Sequence, residues 1–249
     1  MVIYPQEYVS ENRAILRELR AKDVSERHEL AVGITVPAAC VDGLVGQATV
    51  ESISTSEIVL SVVFDKAPPL KESLTAIVGV SRPHTIKKVI QVCATMGVSD
   101  LHFVPTSLGE KSYLKSKSLL QENIDYEILL GIEQSGDPIP PNVTVHGSFR
   151  EFSGHALPKI LASIVEPPAL LLADTHESKP LSRRALNKTS QVFVAVGAET
   201  GWSEGEIKAF KAINFQSISL GSRVLRVETA LTALIAQVEL MRSQNDPLR

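Results

Sequence analysis

An α/β fold with a mostly parallel sheet, preceded by a small β-rich unit, is what this sequence predicts, and three features predict it. From Leu74 onward, extended apolar runs alternate with stretches of helical periodicity. Two of those runs, ALLLAD (169–174) and QVFVAVG (191–197), are continuously apolar, as strands buried on both faces of a parallel sheet are. Before Leu74, short runs rich in β-branched residues succeed one another between turn-prone segments.

Taken in order, Arg13 to Arg20 has helical spacing, and ELAVGITV (29–36), GLVGQATVES (43–52) and SEIVLSVVF (56–64) read as extended. CVDG and SISTSE separate them as turns. DKAPPLKES, Asp65 to Ser73, concentrates proline and charge and reads as a linker, which divides the chain into domains 1–72 and 73–249. LTAIVGV is then a strand, His84 to Met96 a helix closed by Gly97, and LHFVPT a second strand, which together make a βαβ unit. Leu119 to Gln134 is helical and stops before GDPIPPN; NVTVHG extends; Leu157 to Ile164 forms a short helix. SEGEIKAFKAI is helical, FQSISLG extended, and Val224 to Met241 is a long terminal helix. Val224, Val227, Leu231, Leu234, Val238 and Met241 give that helix one apolar stripe.

Composition narrows the function classes. Of 249 residues, 44% are hydrophobic and 21% charged, as in ordinary folded proteins, and the net charge of −3 excludes indiscriminate coating of nucleic acid. Local basic clusters remain: Arg82 with His84, Lys87 and Lys88; Lys111, Lys115 and Lys117; Arg183, Arg184 and Lys188; Arg223 and Arg226. The N-terminus has no secretory pattern and no apolar run reaches membrane-spanning length, so a cytoplasmic protein without membrane association is expected. Cys40 and Cys93 lie too far apart for a disulfide framework or a zinc motif, and the six histidines, His28, His84, His102, His146, His155 and His176, are scattered, so no metal is expected.

Two segments carry candidate chemistry. In VGAETGWSEGEI (196–207), Ser203 and Glu206 form a capping box and Trp202 and Ile207 a hydrophobic staple, which explains the second half structurally. The first half, Gly197-Ala198-Glu199-Thr200-Gly201, follows a buried strand, at the sheet edge where α/β proteins bind ligands. A plain tight turn fits it as well as a cofactor loop does. In LGSRVLRVETA (220–230), Arg226 points away from the apolar stripe while Glu228 falls on its margin near a helix N-terminus. Glu228 reads equally as a carboxylate that ties down a neighbouring loop and as part of a site. No dinucleotide fingerprint and no P-loop occur.

LGSRVLRVETA resembles the last signature of the RsmE-type family, the small-subunit (16S) ribosomal RNA uridine N3-methyltransferases of the SPOUT superfamily. RPHTIKKVIQVCATMGVSDLHFVPT, KSYLKSKSLL, GIEQSGDPIPPNV and VGAETGWSEGEI resemble its other segments in order and spacing, from about Ser81 to the C-terminus, and GLVGQATVESI more faintly resembles its N-terminal barrel. The chain differs from the family pattern at Met96, at Ala198 in place of proline, at Thr200 in place of glycine, and around Gly136 and Asp137, where many members carry an arginine. The resemblance implies a SPOUT-type sheet with a C-terminal deep trefoil knot, roughly 168–240, behind a PUA-like β-barrel that docks RNA. It implies S-adenosyl-L-methionine as cofactor, held by Leu172 and Ala173, by Val196, Gly197, Ala198, Glu199, Thr200 and Gly201, and by Leu220, Gly221, Ser222, Val224 and Leu225. Arg82, Lys111, Arg223 and Arg226 would meet ribosomal RNA; Arg226 would polarise the substrate; Glu228 would brace the loop or act as a base. A homodimer through the terminal helix is expected, with the apolar stripe suited to it. The competing expectations are a non-catalytic knotted RNA-binding or ribosome-assembly protein, and a SPOUT methyltransferase with another RNA target.

Overall fold

The computed structural model describes residues 1–27, 29–68, 71, 73–177, 179–181, 186 and 191–244. The chain forms two compact units, Met1–Leu70 with Ile132–Pro140, and Lys71–Gly131 with Pro141–Arg249. The first unit is therefore not contiguous in sequence, unlike the simple division at 72/73 that proline and charge suggest.

In the first unit β1 (Val2–Ile3), β2 (Tyr8–Ser10), β3 (Arg13–Arg17), β4 (Thr35–Cys40), β5 (Val45–Ile53) and β6 (Glu57–Lys66) make one sheet in the order β1-β4-β5-β6-β3-β2. All its ladders but β1–β4 are antiparallel, and among the described residues none joins the edge strands β1 and β2. The helix expected from Arg13 is instead β3, followed by α1 (Glu18–Arg27). Period two decides it: Ala14 and Leu16 are fully buried while Arg13 and Arg17 face out, and β6 supplies the antiparallel partner. Glu18, at φ 47°, makes the break and donates its N–H to Ser56 O at 2.7 Å. Only the end of ELAVGITV extends, because Gly33 at φ 87° turns the chain before β4. A core of Ile3, Ala14, Leu16, Val24, Val50, Ile58 and Leu60 underlies the sheet.

The returning segment is tied in by polar contacts. Arg20 pairs with Glu7 at 3.0 Å and with Glu133, and its guanidinium lies over the Tyr4 ring, 4.4 Å from the centroid. Tyr4 Oη donates to Glu133 at 2.9 Å, and the Asp42 N–H to Pro138 O at 2.9 Å.

The second unit holds β7 (Leu74–Gly79), β8 (Asp100–Val104), β9 (Asn142–Val145), β10 (Ala169–Ala173), β11 (Val192–Val196) and β12 (Gln216–Ile218) in the order β12-β10-β11-β7-β8-β9, every ladder parallel. This is the α/β architecture with a parallel sheet that the apolar runs predict. The helices are α2 (Pro83–Thr95), α3 (Gln121–Ser135, its last turn counted with the first unit), α4 (Phe149–Glu151), α5 (Leu157–Ala162), α6 (Glu204–Ala212) and α7 (Val227–Gln244). A π-helical segment, Phe152–Ala156, joins α4 to α5, so the short helix expected from Leu157 begins a good two turns earlier. Gly97, at φ 69°, closes α2 as its position suggests.

Phe152, Leu157, Leu172, Phe193, Trp202, Phe210 and Phe215 fill one face of this sheet. On α7, which packs against α2 and β11, Val227, Leu231, Leu234 and Val238 are buried within the unit. The apolar stripe assigned to dimerisation is therefore already covered by the chain's own α2 and β11. Val224, counted in that stripe, lies before the helix and is 83% exposed. No helix of the described residues is long and apolar enough to cross a membrane.

Candidate cofactor cavity at the carboxyl edge of the sheet

Strand order reverses at β7 and β11, so the chain leaves in opposite directions from their carboxyl ends and opens a crevice there. Beside it lies a cavity of about 240 Å³, walled by three loops, Ala173–His176 after β10, Val196–Trp202 after β11 and Ser219–Leu225 after β12, and closed by Ile207, Val227 and Ala230.

Each loop is fixed by local bonds. After β11, the Gly201 N–H donates to Ala198 O at 2.8 Å, and Gly201 takes φ 73°. The positive φ thus falls on glycine, and Thr200 keeps a backbone conformation open to any residue; its departure from the family's glycine introduces no strain. A Cβ on Gly197 would lie 2.8 Å from Gly201 Cα, and one on Gly79, at the end of β7, would overlap Ala198 N, so close backbone packing requires both glycines. After β12, the Gly221 N–H donates to Ser219 Oγ at 3.2 Å and Gly221 sits at φ 115°, with nothing within 4 Å of a Cβ placed there. After β10, the His176 N–H donates to Asp174 Oδ1 at 2.9 Å, and Asp174 N–H to Ile218 O at 3.0 Å.

The capping box is present: the Glu206 N–H donates to Ser203 Oγ at 3.3 Å and Ser203 N–H to Glu206 Oε2 at 2.8 Å. Its other oxygen accepts from Ser107 N–H at 2.7 Å, so this buried carboxylate also anchors the loop after β8. The cap reaches further than its local motif indicated.

Of the cofactor residues named from sequence, Ala173, Val196, Gly197, Ala198, Glu199, Thr200, Gly201, Leu220, Gly221, Ser222, Val224 and Leu225 all line this one cavity. Leu172 does not; it is fully buried and packs into the core beneath. Period two explains the difference, because consecutive residues of β10 face opposite sides of the sheet. Arg223 lines the cavity too, whereas Arg226, Arg82 and Lys111 are exposed outside it. Arg183, Arg184, Lys188 and His28 lie outside the described residues. Asp174, Thr175 and His176 line the cavity as well, and their only signal in the sequence is their place directly after a strand of the sheet. Trp202, whose sequence signal is that of a staple, also lines the cavity, and its buried Nε1 has no hydrogen-bond partner in the protein.

Two carboxylates flank the cavity with defined partners. Glu199 Oε1 accepts from Thr85 Oγ1 at 3.0 Å and from Arg82 N–H at 3.2 Å, at the N-terminus of α2. Glu228 Oε1 pairs with Lys88 Nζ at 3.3 Å. Burial acts to raise the Glu228 pKa, but its own backbone N–H, Lys88 and Arg226 outweigh this and hold it below the ordinary carboxylate value. It is an ionised, paired group. Among the described residues no cluster of three or more potential metal ligands occurs.

Comparison with known proteins agrees with this geometry. The model of the RNA methyltransferase domain family matches residues 68–239. The ribosomal RNA small subunit methyltransferase E of Treponema pallidum is 30% identical over 244 residues, 96% of this chain and 90% of that protein. Among solved structures, a ribosomal RNA small subunit methyltransferase E from Neisseria gonorrhoeae bound to S-adenosyl methionine shares the fold, with a TM-score of 0.71 at 18% identity over 96% of this chain and 97% of that one. A Legionella pneumophila protein assigned as a methyltransferase, solved with bound SAM, has a TM-score of 0.71 at 20% identity over 96% of each chain. Three loops meeting in one glycine-lined cavity, on a chain matched over most of its length, lead to one conclusion: this protein belongs to the RNA methyltransferase domain family, among the ribosomal RNA small subunit methyltransferase E proteins.

Proposed function

We propose that this protein is an S-adenosylmethionine-dependent methyltransferase that methylates N3 of a specific uridine in small-subunit ribosomal RNA. The observation that carries the reading is the convergence of the loops after β10, β11 and β12 on one cavity in a chain of this family. The relative from Treponema pallidum is named for the same substrate class.

The residues present fit the cofactor. Gly197, Gly201 and Gly221 offer main-chain groups at close range, Trp202, Ile207 and Val227 offer apolar walls, and the unpartnered Trp202 Nε1 offers a donor. When bound, S-adenosylmethionine supplies a methyl group on a sulfonium, open to in-line attack. The protein's own part is positioning and charge. Arg223 at the cavity and Arg226 beside it would stabilise the anion left when uridine N3 gives up its proton to solvent. Glu228, already paired with Lys88, serves as a brace for the start of α7 rather than as the base.

The finer architecture belongs to this proposal. A deep trefoil knot over roughly 168–240 is supported by the chain after β12 running beside the segment after β10: Pro180 bridges Ser219, and the Ser219 N–H donates to Lys179 O at 2.8 Å. The first unit would act as a PUA-like barrel that docks RNA. A homodimer would use the outer face of α7, where Thr229, Thr232, Ala236 and Leu240 are exposed, and light scattering on the purified protein reports it. A cytoplasmic location follows from a ribosomal substrate. Mass spectrometry of ribosomal RNA nucleosides from cells with and without the protein tests the activity: loss of 3-methyluridine from small-subunit RNA is expected, and an unchanged nucleoside profile would refute it.

A further inference from the structure

Helix α2 cannot cap itself. Its N-cap residue is Arg82, whose side chain makes no capping hydrogen bond, and Pro83 follows at the first helical position. A carboxylate from far along the chain ties this start down instead: Glu199 Oε1 accepts the N–H of the N-cap residue Arg82 at 3.2 Å and the Thr85 hydroxyl at 3.0 Å. Thr85 is 4% exposed and lies outside the cavity lining, whereas Glu199 is part of that lining. One turn further on, Lys88 holds Glu228 at the start of α7, directly after the third cavity loop. The exposed residues of the same stretch are Arg82, Pro83, His84, Lys87 and Lys88; Lys87 pairs with Glu127 at 2.9 Å and Lys88 with Glu228, which among the described residues leaves the Arg82 guanidinium, at the very start of the helix, as the cation set toward solvent there.

Resting on the function proposed above, we propose that Thr85 is a positioning residue: its hydroxyl pins Glu199 to the first turn of α2, so that occupancy of the cofactor cavity and docking of RNA at Arg82, where α2 begins, are coupled. The hydroxyl is buried while Glu199 itself is exposed, so the bond is directional on the Thr85 side and open to solvent on the carboxylate side. A ligand that bears on Glu199 in loop 196–201 bears on the Arg82 backbone through the same oxygen, and by reciprocity RNA bound at Arg82 strengthens cofactor binding by the same factor.

The experiment uses the full chain, S-adenosylhomocysteine as an unreactive cofactor probe, and an in vitro transcript of small-subunit ribosomal RNA. Calorimetry gives the affinity for S-adenosylhomocysteine, and fluorescence anisotropy gives the RNA affinity with and without it. The wild type is expected to bind RNA roughly fivefold or more tightly when the probe is present. Thr85→Val should reduce that enhancement to less than about twofold while retaining RNA affinity in the absence of the probe. Thr85→Ser, which keeps the hydroxyl, should restore it. If Thr85→Val fails to fold by circular dichroism, Thr85→Ala removes the same bond without the branched methyls and is read the same way. Wild-type protein that fails to bind S-adenosylhomocysteine overturns the methyltransferase reading itself. Binding without any effect on RNA affinity overturns the coupling, and an enhancement unchanged in Thr85→Val removes Thr85 from it.

Discussion

Glu228 Oε1 lies 3.3 Å from Lys88 Nζ, a contact that fastens the first turn of α7 to α2 at the point where the chain leaves the cavity. The lysine side chain is 49% exposed, so the pair is partly screened. A double-mutant cycle with Glu228→Gln and Lys88→Ala should return a coupling of about 0.5–1 kcal/mol in urea unfolding. Because Glu228 is held ionised below the ordinary carboxylate value, the contribution is present above that value and fades as pH falls through the lowered pKa. A coupling that shows no loss as acid is added across the whole range in which the protein stays folded would contradict the assignment.

Arg226 is exposed beside the cavity and not in its lining, as the substrate-facing role proposed for it requires. Arg226→Ala is expected to lower the rate of methyl transfer about a hundredfold or more while S-adenosylmethionine affinity stays within twofold. Loss of cofactor affinity in a folded variant would move this arginine to the other side of the pocket.

Gly221 combines a φ of 115° with open space where a Cβ would project. Gly221→Val should therefore act by straining the loop, a cost of about 1–3 kcal/mol, and by intruding on the cavity. The expected result is at least about a tenfold loss in cofactor affinity by calorimetry. Gly79→Ala tests the neighbouring close approach, where a Cβ would overlap Ala198 N. It should destabilise the fold by about 2–3 kcal/mol and also weaken cofactor binding.

His102 Nδ1 and His146 Nε2 lie 3.1 Å apart, and both rings pack on Phe152. Burial first and His146 second drive the His102 pKa down to about 4, with Asp100 pulling the other way; burial lowers His146 as well, against Glu151. Between the ordinary value of 6.5 and about 4 the unfolded chain takes up a proton that the folded His102 refuses. Stability is therefore complete above 6.5 and declines as pH falls through this window, by up to about 3 kcal/mol from this group. His102→Gln should flatten the fall in urea midpoint between pH 7 and 4.5 relative to wild type, whatever its effect on stability at pH 7. An equally steep fall in the variant would assign the acid sensitivity elsewhere.

The three loops that meet at the cavity were legible only through the family resemblance; sequence by itself determined the alternation of strand and helix from Leu74 onward, the parallel character of the sheet and the capping box at Ser203. These are local properties: continuous apolar runs, glycines and capping residues act within a turn or two of where they stand. Tertiary structure decided what depends on a distant partner. Arg13–Arg17 became a strand because β6 offers its edge, and α7 turned its stripe inward because α2 and β11 were there to receive it. Glu199 and Glu228 found their roles at Thr85, Arg82 and Lys88, more than a hundred residues away in sequence. Pairing and burial energies depend on which surfaces meet, and no periodicity in a single segment records its neighbour.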